Sequence, residues 1–124
     1  MTRVHRIRFT TLFGVVLLGL TPATQAAPSL WWDHFDSSTD TQVNCVRQAE
    51  AIVAGEKSGH VTSDADSVRT WSEKTISVTE CIPFGNRLIV AVLVSSEDAQ
   101  EGTRLFNRLR AGMTQPSINP TESR

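Results

Sequence analysis

Apolar and polar positions repeat with two different periods along this chain, and the changes of period mark out its elements. From Ser29 to Asp36 the run SLWWDHFD sets Trp31, Asp33 and Phe35 on one parity and Leu30, Trp32 and His34 on the other. That alternation, rich in aromatics, predicts a strand with one Trp on the side away from the core. Trp32 is then either a binding contact or a cover for the sheet edge or the disulfide. Next the period lengthens: Cys45, Val46, Ala49, Ile52 and Val53 share one helical face, and Gln42, Arg47, Gln48 and Glu50 lie mostly elsewhere. Ser37–Asp40 supplies the helix start, with Thr39 as N-cap and Gln42 in the capping-box position. The helix is expected to run to Ala54 or Lys57 and to stop at Gly55 or Gly59 in the left-handed conformation that glycine tolerates. His60–Ser67 is polar and predicts a loop.

Val68–Ile82 predicts one strand, irregular around Trp71–Lys74, and Pro83–Asn86 a hairpin turn too short for anything but an antiparallel pair. In the following strand, Arg87–Ser95, Leu88, Val90, Val92 and Val94 occupy one face and Ile89, Ala91 and Leu93 the other. A strand apolar on both faces belongs in the middle of a sheet. Its neighbour contains a conflict. Ile76 and Val78 share one parity and Cys81 the other, so a Cys81 that faces the helix turns the two aliphatics away. Either a β-bulge near Thr79–Glu80 restores a single apolar face, or the sheet is apolar on both faces; the bulge is the expectation. The last pattern is helical, with Ala99, Gly102, Leu105, Phe106, Leu109 and Met113 as its stripe, Ser95 as the cap, and Glu97, Asp98 and Glu101 in the first turn.

The elements assemble as an α+β fold of order β-α-β-β-α. The expected sheet has three antiparallel strands in the order 1-3-2, with both helices on one face, like a ferredoxin-like fold that lacks its last strand. The other face would be partly open and carry Val or Ile, and an exposed apolar face usually meets something.

The first 26 residues change the biological setting. Arg3, His5, Arg6 and Arg8 precede a short apolar run, Phe9–Leu20, which Thr21 and Pro22 break before small residues. This reads as a signal peptide cut after Ala26, since a spanning helix needs about 20 apolar residues. The chain then divides into residues 1–26 as leader, 27–113 as a single domain and 114–124, with Pro116 and Pro120, as a disordered tail. Three of the twelve Lys and Arg leave with the leader, so nine face thirteen Asp and Glu and the balance moves from −1 to −4. Such a domain suits neither nucleic acid nor an anionic membrane, which need clustered positive charge, and no stable membrane insertion is expected once the leader is removed. Two cysteines in an exported chain predict one disulfide, Cys45–Cys81.

The mature part resembles a loose group of small uncharacterised exported bacterial proteins. Its marks are Cys45 early in the first helix, Cys81 at the end of the next strand, the Val-rich Leu88–Val94 and the amphipathic Ala99–Met113. The resemblance spans about 80 residues and implies no activity, because fold alone supplies none.

Candidate chemistry is sparse. No G-x-S-x-G, H-E-x-x-H, P-loop or dinucleotide fingerprint occurs. Asp64-x-Asp66 beside His60 lacks the later Gly and Glu of a calcium loop, and too few histidines remain for zinc, so no metal or cofactor is expected. An enzyme would have to use His34 with Asp33 or Asp36, or His60 with Asp64. The leading expectation is a non-enzymatic interaction module, periplasmic or secreted, that binds an envelope or extracellular protein. Trp32, Ile76 and Val78, and the neighbouring Arg104 and Arg108, are its candidate contacts. The alternative is an inhibitor of an extracytoplasmic hydrolase such as a lysozyme.

Overall fold

Strand β1 (Ser29–Asp36) leads through Thr41 into helix α1 (Gln42–Ala54). A continuous antiparallel meander follows: β2 (His60–Ser63), β3 (Ser67–Trp71), β4 (Thr75–Phe84) and β5 (Arg87–Ser96). Helix α2 (Ala99–Thr114) closes the domain. These elements come from a computed structural model that describes residues 27–56 and 59–115. The leader, Lys57, and residues 116–124 of the expected tail lie outside the described residues, and Thr114 belongs to α2.

The sheet has five antiparallel strands in the order β1-β5-β4-β3-β2. This corrects the three-stranded β-α-β-β-α expectation and its comparison to a truncated ferredoxin-like fold. Two local causes account for the extra strands. The expected polar loop forms β2, whose four residues are all exposed and which is held by backbone pairing to β3. It therefore carries no apolar signal. The single strand expected over Val68–Ile82 is two strands. Between them Ser72 N–H donates to the Thr75 carbonyl at 2.8 Å and Thr75 N–H to Ser72 Oγ at 3.2 Å, a turn made by hydroxyls with no Gly or Pro to announce it. At the other hairpin, Gly85-Asn86 forms a two-residue turn, shorter than expected, with Gly85 at φ 63°.

Both helices pack on one face of the sheet. Cys45, Val46, Ala49 and Val53 of α1 and Leu105, Leu109 and Met113 of α2 form the core with Val68, Cys81, Val90, Val92 and Val94. The Cys45–Cys81 disulfide ties α1 to β4, with Cα atoms 6.1 Å apart. The caps sit a little away from their expected places. Thr41, rather than Thr39, caps α1 by accepting from Asn44 N–H, and the Gln42 side chain donates to the Cys81 carbonyl at 2.8 Å. Gly55 ends α1 in a right-handed conformation, φ −72°. Asp98, rather than Ser95, caps α2 by accepting from Gln100 and Glu101 N–H. The last carbonyls of α2, at Gly112 and Gln115, accept from Gln48 Nε2.

No bulge interrupts β4. Its register against β5 is continuous from Thr75↔Ser96 to Phe84↔Arg87, so Cys81 shares the helix-covered face with Thr75, Ser77 and Thr79. Ile76, Val78 and Ile82 point the other way. Strand β4 thus buries hydroxyls and turns aliphatics outward. Two of the buried hydroxyls pair across strands, Thr70 Oγ1 with Ser77 Oγ at 2.5 Å and Thr75 Oγ1 with Ser96 Oγ at 2.7 Å. Thr79 is 1% exposed, and its Oγ1 has no hydrogen-bond partner among the described residues. A buried hydroxyl without a hydrogen bond costs stability that an isosteric methyl does not. Thr79→Val is therefore expected to stabilise the domain by about 1–2 kcal/mol in urea unfolding; a loss of stability would mean that this hydroxyl is satisfied.

Candidate functional site

The uncovered sheet face is built row by row from strand register, because residues paired across antiparallel strands project to the same side. One row runs Leu30, Ser95, Ile76, Trp71 and His60 across β1-β5-β4-β3-β2, and the next Trp32, Leu93, Val78, Arg69 and Thr62. A third holds His34, Ala91 and Glu80, and a fourth Asp36, Ile89 and Ile82. The apolar members are unusually accessible: Trp32 is 64% exposed, Leu30 59% and Ile76 54%, with Trp71, Ile82, Leu93 and Phe84 exposed as well. Large apolar side chains scattered singly over a surface are ordinary, whereas a contiguous patch marks a contact surface.

Near the middle lies a shallow depression of about 340 Å³ with the small Ala91 at its base. Trp32, Leu93 and Val78 wall one end, and His34 and Glu80 the other. Two ring stacks stand on this face, one at the depression and one toward β2. Trp32 and His34 stack with centroids 6.0 Å apart at 10°, and His60 stacks on Trp71 at 5.4 Å and 26°. Both histidines of the described residues thus serve as flat extensions of a tryptophan on the same face.

The catalytic pairings considered from sequence do not assemble around these histidines. Asp33 lies on the opposite face and forms an ion pair with Arg110 of α2 at 2.9 Å, while Asp36 pairs with Arg87 at 2.6 Å. Asp64 is 3.8 Å from Arg69. Among the described residues neither imidazole is hydrogen-bonded to a carboxylate, and no group of three or more His, Cys, Asp or Glu stands close enough to hold a metal ion.

The five residues singled out as contacts fall into two places. Trp32, Ile76 and Val78 come together on the open face. Arg104 and Arg108 lie on α2 and converge on Glu56 at the end of α1, Arg108 Nε at 3.1 Å from Glu56 Oε1 and Arg104 Nη1 against Glu56 Oε2. The Glu56 side chain is only 8% exposed, so this cluster clamps α1 to α2. Hydrogen bonding to Glu56, and then its charge, raise the Arg104 pKa above its ordinary value. Leu93, Trp71, Arg69 and Glu80 stand on the same face without being candidates by sequence: the second apolar parity of β5 does signal Leu93, whereas the turn at Ser72, with no Gly or Pro, hides Trp71.

No protein-family model matches the chain, and no curated protein is similar to it. Among the described residues no helix is long and apolar enough to cross a membrane.

Proposed function

We propose that this protein is an exported, non-enzymatic binding module, periplasmic or secreted, that engages a protein partner through the uncovered face of its sheet. One observation carries the reading: β4 spends its buried face on Thr75, Ser77 and Thr79 and its open face on Ile76, Val78 and Ile82. Folding alone favours the reverse, since each aliphatic turned inward gains roughly 1.5–3 kcal/mol of burial. An apolar outward face is thus stability forgone, and contact with a partner restores it. The disulfide suits an oxidising compartment, and the leader-like residues 1–26 suit export.

A photoreactive amino acid at position 32, expressed in the native host, is expected to yield discrete covalent adducts with protein. The same group at the exposed Asn107 on α2 serves as the control and is expected to yield none. Equal labelling from both positions, or none from position 32, would remove the basis of the proposal.

A further inference from the structure

We infer that the open face docks a second copy of this chain, two sheets packing face to face into a sandwich. The inference rests on the reading of this face as a binding surface and names its occupant. The first argument is area. Seven large apolar side chains on this face are exposed by 39% to 66%, three of them aromatic rings of about 150–250 Å² each, so the exposed apolar area is on the order of the ~800 Å² per partner of a stable interface.

The second argument is self-complementarity. The seam between β5 and β4 is the midline of the four strands β1-β5-β4-β3, and a two-fold axis along it exchanges β1 with β3 and β5 with β4. The row Trp32, Leu93, Val78, Arg69 then lies reversed on itself. Leu93 of each copy meets Val78 of the other, and Trp32 meets Arg69, a guanidinium over an indole face. In the neighbouring row Leu30 meets Trp71. Aligned sheets pack about 10 Å apart, a spacing these side chains fill. The axis brings the Glu80 side chains of the two copies into one row, and Arg69, diagonally beside Glu80 on β3 and 3.8 Å from the exposed Asp64, is the cation that offsets them. An anionic lipid surface would meet Glu80 and a net negative chain, which disfavours it.

The test is sedimentation equilibrium of the exported protein, purified with its disulfide intact, at up to about 100 µM. A dimer is expected. Val78→Asp is expected to weaken it at least about 100-fold, and Trp32→Ala and Arg69→Ala about 10-fold each. Because those two side chains form one contact, the double variant should lose clearly less than the product of the single losses. Circular dichroism checks the fold of each variant, and Trp32→Ala, altering an exposed ring, stands in should Val78→Asp fail to fold. A dimer indifferent to all three variants, or a monomer at every concentration, overturns the inference. The adducts from position 32 separate the two readings. A monomer whose position 32 links to a different protein keeps the binding face and loses the second copy; a monomer with no adducts loses both.

Discussion

Replacing Cys45 and Cys81 together by alanine is expected to lower the unfolding free energy by about 4 kcal/mol, the largest effect of any change proposed for this domain. The two residues are separated by 36 positions, and opening that loop returns its closure entropy to the unfolded chain. Both cysteines are fully buried where α1 meets β4, so the folded state also loses the packing of two sulfur atoms. Total stability for small domains is about 5–15 kcal/mol, and the variant should retain only the lower part of that range or unfold below physiological temperature. Urea unfolding of the oxidised, reduced and double-alanine forms measures this. Unchanged stability in the alanine form would place the cohesion of α1 and β4 entirely in the apolar core.

Gly102→Val is expected to cost about 3 kcal/mol, through overpacking. Helix α2 crosses β1 so closely at Gly102 that a Cβ there would lie 2.2 Å from Trp31 Cζ3 and 2.5 Å from Cη2. The indole is partly buried between the helix and the sheet, so either the ring is pushed aside or α2 lifts. Lifting strains the Arg110–Asp33 pair, which ties the same helix to the same strand at 2.9 Å. Gly102→Ala separates the causes. Helix propensity alone favours alanine by about 1 kcal/mol, and the contact with Trp31 is expected to turn that gain into a net loss in urea unfolding. If Gly102→Ala instead stabilises the protein, Trp31 can move and the close crossing is not a constraint.

The parts of this fold legible in the sequence were those written in apolar periodicity. Strand β1 has the bounds its alternation predicts, Gly102, Leu105, Leu109 and Met113 of the α2 stripe are buried while Ala99 is exposed, and the two cysteines pair. What escaped was held together by polar groups. Strand β2 is exposed at every position and is held by backbone pairing to β3 and the His60–Trp71 stack. The β3–β4 turn is made by Ser72 and Thr75 hydroxyl and backbone bonds, where a reader looks for Gly, Pro or Asn. The bulge was expected because apolar residues were assumed to face inward. Strand β4 breaks that assumption from Thr75 to Thr79, before Glu80 and Cys81 restore it, and local rules fail most informatively where function competes with stability. Trp32, Ile76 and Val78 share the open face. Arg104 and Arg108 are side by side and more than half exposed, as their four-residue spacing predicts; no local spacing reveals that both pair with Glu56, 48 positions before Arg104.

The central claim is that the outward aliphatics of β4 serve contact rather than folding. A variant carrying Ile76→Thr and Val78→Thr tests it most directly, since threonine keeps the β-branch a strand favours and removes only apolar surface. The measurement is urea unfolding of this variant alongside its yield of protein adducts from position 32. The expected result is a stability loss of no more than about 1 kcal/mol, because Ile76 is already 54% exposed, together with loss of the adducts. A large drop in stability with undiminished adducts would contradict the claim and make the open face part of the fold's own support.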